Sequence, residues 1–96
     1  MSASGGIPEV HFYRKADCEL CEELARELSE YRAAPRAPEF RLVERDVEAD
    51  AAWMARYGER VPALVVGGIS LSEYFFDPER FEAGLRRAAQ HAAPAE

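Results

Sequence analysis

Apolar positions recur along this chain with two different periods, and the switch between them marks the elements. Glu9-Val10-His11-Phe12-Tyr13 is dense in strand-favouring side chains and predicts a first strand. The polar run Arg14-Lys15-Ala16-Asp17 breaks it, and from Cys18 onward the period lengthens. Leu20, Leu24, Leu28 and Tyr31 stand four, four and three apart, which lays one apolar stripe along one face of a helix. Glu19, Glu22 and Glu23 fall in the first turn of that helix, where negative charge complements the helix dipole. Pro35 and Pro38 end it. A second strand is expected over Phe40–Val47, with an imperfect alternation that fixes its register only loosely.

The second half of the chain continues the alternation of elements. Asp50 to Tyr57 predicts a short helix with Trp53 and Tyr57 on one face. Arg60-Val61-Pro62 leads into a compact apolar strand, Ala63-Leu64-Val65-Val66. Gly67-Gly68 suits a tight hairpin turn, because two glycines accept the positive φ such turns need. Ile69-Ser70-Leu71-Ser72 is the return strand, extending towards Phe76. Asp77 caps a last helix, Pro78 fits its first turn, and Phe81, Leu85 and Ala88 line its buried face. Gly84 within that helix suggests close approach to the sheet. Helical crossovers make the first two strands parallel, and the glycine turn makes the last two antiparallel. The expected architecture is therefore α/β: a four-stranded mixed sheet in the order βαβαββα, flanked by three helices. It would occupy residues 9–90, with 1–8 as a flexible lead and 91–96 as a frayed tail.

Composition narrows the functional classes. Ninety-six residues suffice for one domain with a single core. Twelve basic against eighteen acidic residues give a net charge of −6, which argues against a nucleic-acid partner, since phosphate backbones demand a basic face. No apolar run approaches the roughly 20 residues that span a bilayer. The start, Met1-Ser2-Ala3-Ser4-Gly5-Gly6, lacks the charged and apolar regions of a signal peptide. The expectation is a cytoplasmic monomer with no membrane partner.

That location changes how Cys18 and Cys21 are read. A link closing so short a loop removes little unfolded-state entropy, so a purely structural staple explains them poorly. Cys18-Glu19-Leu20-Cys21 sits between a strand and an amphipathic helix, and this placement makes the spacing informative. Residues three apart at a helix start are neighbours, about 5–6 Å apart at Cβ, so a disulfide can open and close without moving the fold. Free N–H groups at the helix start stabilise a thiolate on Cys18, and Cys21, one turn inside, is less exposed. Cys18 therefore reads as the nucleophile and Cys21 as the resolving thiol. A zinc site would need further ligands, and beyond carboxylates only His11 and His91 are available, without finger-type spacing; no metal is expected. An inert buried pair is the other alternative. His11 itself is read either as a packed strand residue or as a proton shuttle.

At this point the chain resembles the thioredoxin superfamily, and within it the small glutaredoxin-like proteins of bacteria. The resemblance rests on His11-Phe12-Tyr13, on Cys18-Glu19-Leu20-Cys21-Glu22-Glu23, and on Asp46-Val47 through Tyr57-Gly58-Glu59-Arg60-Val61-Pro62. Phe76-Asp77-Pro78-Glu79-Arg80-Phe81 adds to it, so the likeness runs from about Val10 to Arg87. It implies a thioredoxin-like fold with a cis proline at Pro62 lying against the cysteines. It also implies that Val61 offers its backbone to an extended substrate. Lys15, in the loop before Cys18, joins them as an expected substrate contact, and with Arg14 it counters the charges of Asp17 and Glu19 beside the thiolate. Glu19-Leu20 replaces the Pro-Tyr of many glutaredoxins, and Ile69-Ser70-Leu71-Ser72 supplies no glutathione clamp. Phe12 stands near the place of thioredoxin's buried acid.

The resulting expectation is a thiol–disulfide oxidoreductase acting on protein or low-molecular-weight disulfides. It would need no cofactor, with glutathione as a candidate reductant. A non-catalytic adaptor binding along the Val61-Pro62 groove is the alternative from another class, and a metal or iron–sulfur carrier using Cys18 is a third.

Overall fold

The computed structural model describes residues 7–92. Strand β1 (Glu9–Arg14) is followed by helix α1 (Glu19–Ala33), strand β2 (Arg41–Asp46), a 3-10 turn (Val47–Ala49) and helix α2 (Ala51–Tyr57). Strands β3 (Ala63–Val66) and β4 (Ile69–Glu73) and helix α3 (Pro78–Ala92) complete the order. The sheet runs β2-β1-β3-β4, with β1 parallel to β2 and antiparallel to β3, and β3 antiparallel to β4. This is a mixed four-stranded α/β sheet of thioredoxin-like type. The lead and tail expected at 1–8 and 91–96 fall mostly outside the described residues. Within them, Pro8 is buried with its carbonyl accepting the Arg41 N–H at 2.9 Å, and α3 reaches Ala92.

Alternation along β1 sorts its side chains between two faces. Val10 and Phe12 enter the larger core with Leu24 and Leu28 of α1, Leu64 of β3, and Phe81 and Leu85 of α3. Tyr13 lies in the smaller core under α2, with Val47, Tyr57, Ala63 and Val65. The larger core is closed by an aromatic cluster in which Phe81 meets Tyr31, Phe40 and Phe76 edge-on at 5.3–5.8 Å between centroids. In the smaller core Tyr13 stacks on Tyr57 at 4.2 Å, and Trp53 meets Tyr13 edge-on at 6.0 Å.

Local chemistry fixes the joints. The Asp50 carboxylate accepts the N–H groups of Ala52 and Trp53, capping α2, and the Asp77 carboxylate accepts the N–H of Arg80 at the start of α3. Gly67 and Gly68 take φ of 58° and 82°, the paired positive values of a two-residue hairpin turn. A Cβ on Gly84 would collide with Leu71, so α3 lies on β4 as closely as glycine allows. Leu64 pairs with Ser72 but Val65 with Ser70, so β4 carries a bulge at Leu71.

Two boundaries differ from the sequence expectation. β2 stops at Asp46, because its carboxylate caps the 3-10 turn through the Glu48 N–H and Val47 turns fully inward. β4 stops at Glu73 and does not continue towards Phe76, because Tyr74 adopts φ of 72° and leaves the extended region.

Candidate active site

The loop leaving β1 brings Cys18 to the start of α1. Asp17 reverses the chain with φ of 55°, a left-handed conformation that its short polar side chain tolerates. Cys18 then takes the N-cap position, and its sulfur accepts the Cys21 backbone N–H at 3.1 Å. A cysteine thus occupies the place usually given to Ser, Thr, Asp or Asn. Cys18 and Cys21 are joined in a disulfide with their Cα atoms 5.2 Å apart. Cys21 is fully buried (0% exposed), whereas Cys18 keeps part of its surface in solvent.

Sheet register carries the Val61-Pro62 segment to the same end. Tyr13 pairs with Ala63, so one further step sets Pro62 beside Arg14, at the mouth of the cysteine loop. The Val61–Pro62 peptide bond is cis, with Pro62 buried and Val61 half-buried. Lys15 is half-buried in the same loop and forms no ion pair among the described residues. These candidates from the sequence therefore share one end of the sheet.

Arg14 differs from expectation. Its guanidinium bonds Glu22 at 2.7 Å and Glu44 at 3.5 Å and lies 5.1 Å from the Phe12 ring centroid. It ties α1 to β1 and β2, and its charge is spent on carboxylates rather than left for a thiolate. Glu19 and Asp17 remain exposed beside Cys18.

His11 is not part of this end. Its ring Nε2–H donates to the Glu9 carboxylate at 2.8 Å, and this hydrogen bond lowers the pKa of Glu9. The end of β1, Arg14, lies three positions beyond His11, about 10 Å at the strand rise. It lines a cleft of about 940 Å³ together with Tyr13, Trp53, Arg56, Tyr57 and the Gly67-Gly68 turn. That lining includes neither cysteine, nor Val61, nor Pro62. Among the described residues no three His, Cys, Asp or Glu side chains gather as a metal-ligating group.

The sequence reading missed one feature of the cysteine end. Tyr74 and Phe75, directly after β4, are 39% and 68% exposed. The Tyr74 N–H donates to the Pro62 carbonyl at 2.8 Å, which places this aromatic pair beside the Val61-Pro62 segment. A run of three aromatics between a strand and a helix cap, Tyr74-Phe75-Phe76, was the available signal.

Comparison with known proteins agrees with this architecture. Residues 9–86 match the model of the glutaredoxin-like domain (DUF836), and the chain belongs to that family. Among solved structures it is similar to the structural genomics target protein XcR50 from X. campestris. Identity there is 29% over 81% of this chain and 96% of that one, with a TM-score of 0.58. It is also similar in fold to Trxlp from Edwardsiella tarda, at 16% identity over 88% of this chain and 94% of that one, with a TM-score of 0.55. No curated protein matches the chain. The family and the Cys18–Cys21 disulfide are together compatible with thiol–disulfide redox chemistry and point to substrates bearing a thiol or disulfide. No helix among the described residues is long and apolar enough to cross a membrane.

Proposed function

We propose that this protein is a dithiol oxidoreductase in which Cys18 attacks substrate disulfides and Cys21 resolves the intermediate. The observation that carries this reading is the asymmetry of the pair. Cys18 is partly exposed and its sulfur accepts a backbone N–H at the start of a 15-residue helix, whereas Cys21 is fully enclosed. A hydrogen bond from N–H and the helix dipole both favour a thiolate over a thiol at Cys18.

In the reduced protein the Cys18 thiolate attacks one sulfur of the substrate, forming a mixed disulfide and expelling the other sulfur as a thiolate. Cys21 then attacks the Cys18 sulfur, restoring the Cys18–Cys21 disulfide and releasing the second substrate thiol. The expelled thiolate takes up the proton that Cys21 loses, which balances the reaction without a dedicated base. Phe12, fully buried on β1, offers no proton acceptor there. Val61 supplies backbone N–H and C=O groups with which an extended substrate can pair, and the Pro62 ring walls the groove. Lys15 contacts the incoming segment. The two sulfurs suffice for the chemistry, with glutathione or another low-molecular-weight thiol as reductant, in a reducing cytoplasm and in a monomeric protein.

Equilibration in thiol buffers of graded potential tests the proposal. A Cys18–Cys21 couple between about −120 and −270 mV is expected, the interval of dithiol catalysts. A couple below about −300 mV would mark a static structural disulfide and contradict catalysis.

A further inference from the structure

The segment that follows β4 is held in a conformation its residues do not favour. Tyr74 has φ of 72°, and the Phe75 N–H donates to the Glu73 carbonyl at 2.8 Å, closing a three-residue turn. For a non-glycine residue such a turn is strained by about 1–3 kcal/mol. Three contacts hold it. The Tyr74 N–H binds the Pro62 carbonyl at 2.8 Å, the Tyr74 hydroxyl donates to the Glu59 carbonyl at 2.8 Å, and Arg60 pairs with Glu73 at 3.8 Å. The outcome is a Phe75 side chain 68% exposed on a braced loop, beside the Val61-Pro62 segment. A phenylalanine exposed at this cost, at the end of the sheet that also holds the cysteines, suits contact with a partner.

The geometry points to Tyr74 and Phe75 as a docking platform for a large apolar side chain of a protein disulfide substrate, in a segment flanked by basic residues. The inference rests on the oxidoreductase reading and narrows its substrate class. Reach supports it: Arg14 ends β1, Pro62 immediately precedes β3 and Tyr74 immediately follows β4, on neighbouring positions across the sheet, so the platform lies about 10 Å from the mouth of the cysteine loop. An extended chain covers that distance in about three residues. Charge supports it as well. Among the described residues, this end carries exposed Asp17, Glu19 and Glu59 outside any ion pair against Lys15, while Arg14 is paired with Glu22 and Glu44 and Arg60 with Glu73. Such a rim favours a cationic segment in the disulfide substrate, and the platform adds nothing for a small thiol without a large apolar side chain.

Rapid mixing of the pre-reduced, full-length protein with cyclic peptide disulfides tests this. One peptide carries Phe about three residues from the reacting cysteine with flanking lysines, the second has Ser for that Phe, and the third has Glu for the lysines. Bis(2-hydroxyethyl) disulfide reports the basic chemistry. The expected result is reaction with the Phe–Lys peptide about tenfold faster than with either counterpart. In Phe75→Ser the Phe/Ser ratio falls towards one, and in Phe75→Leu most of it returns. Equal rates for the peptides, with bis(2-hydroxyethyl) disulfide still reduced, overturn the platform and leave the oxidoreductase reading standing. So does a ratio that Phe75→Ser leaves intact. Absence of reaction with every disulfide overturns both.

Discussion

The two ends of the sheet solve the same backbone problem in opposite ways. At the end holding the β3–β4 hairpin, positive φ falls on Gly67 and Gly68, which take it without steric cost. At the cysteine end it falls on Asp17, whose short polar side chain tolerates it, and on Tyr74, which takes it at a steric cost. The hairpin end also borders the 940 Å³ cleft around His11 and Trp53, while the cysteine end presents the exposed aromatics Tyr74 and Phe75. The Cys18–Cys21 disulfide and the exposed Tyr74-Phe75 pair thus share the end where positive φ falls on residues other than glycine. On the proposed reading, that bracing holds the groups that meet substrate in fixed positions.

Substitution at the turns sharpens this contrast. Gly68→Ala is expected to destabilise by about 1–2 kcal/mol, because φ of 82° is a left-handed conformation that an L side chain resists even with open space around its Cβ. Urea unfolding reads the change as a lower midpoint at constant slope. Tyr74→Gly acts the other way on the backbone, relieving a left-handed residue by about 1–2 kcal/mol. It also deletes the hydroxyl bond to Glu59, worth about 1 kcal/mol, so the net change should stay within about 1 kcal/mol. A loss at Tyr74 as large as at Gly68 would show that the cysteine end is not strained, and the contrast would collapse.

A smaller effect belongs to the seam between α1 and α3, away from both turns. Burial, reinforced by the hydrogen bond to Glu82 at 2.8 Å, pushes the Tyr31 pKa up to about 12. The unfolded chain loses this proton near pH 10, so the folded state binds more protons between pH 10 and 12. Stability from this group is complete below pH 10 and declines as pH rises towards 12. Tyr31→Phe should flatten that decline, read as unfolding midpoints at pH 9.5 and 11.5. An unchanged slope would show that Tyr31 titrates like an exposed tyrosine.

Much of the architecture was legible before any coordinates, because it depends on local signals. The helical stripe through Leu24, Leu28 and Tyr31 (Cys21, rather than the expected Leu20, is its buried first member), the Gly67-Gly68 turn and the Asp50 and Asp77 caps each act within a few residues. Cys18 and Cys21 were legible for the same reason. What escaped depends on partners distant in sequence. Arg14 is drawn to Glu44, thirty positions away, only because β1 and β2 pair in parallel. Tyr74 leaves the strand because the Glu59 and Pro62 carbonyls hold it, and nothing in Ser72-Glu73-Tyr74 announces them. Pro8 looked like part of a loose lead, yet its carbonyl engages Arg41 at the start of β2.

The central claim is that the two cysteines are unequal, one presented and one enclosed. Brief alkylation of the reduced protein, followed by mass spectrometry of the fragments bearing each cysteine, tests it most directly. Cys18, partly exposed and hydrogen-bonded at the helix start, should be modified at least about tenfold faster than the fully buried Cys21. Equal rates, or faster modification of Cys21, would contradict the account.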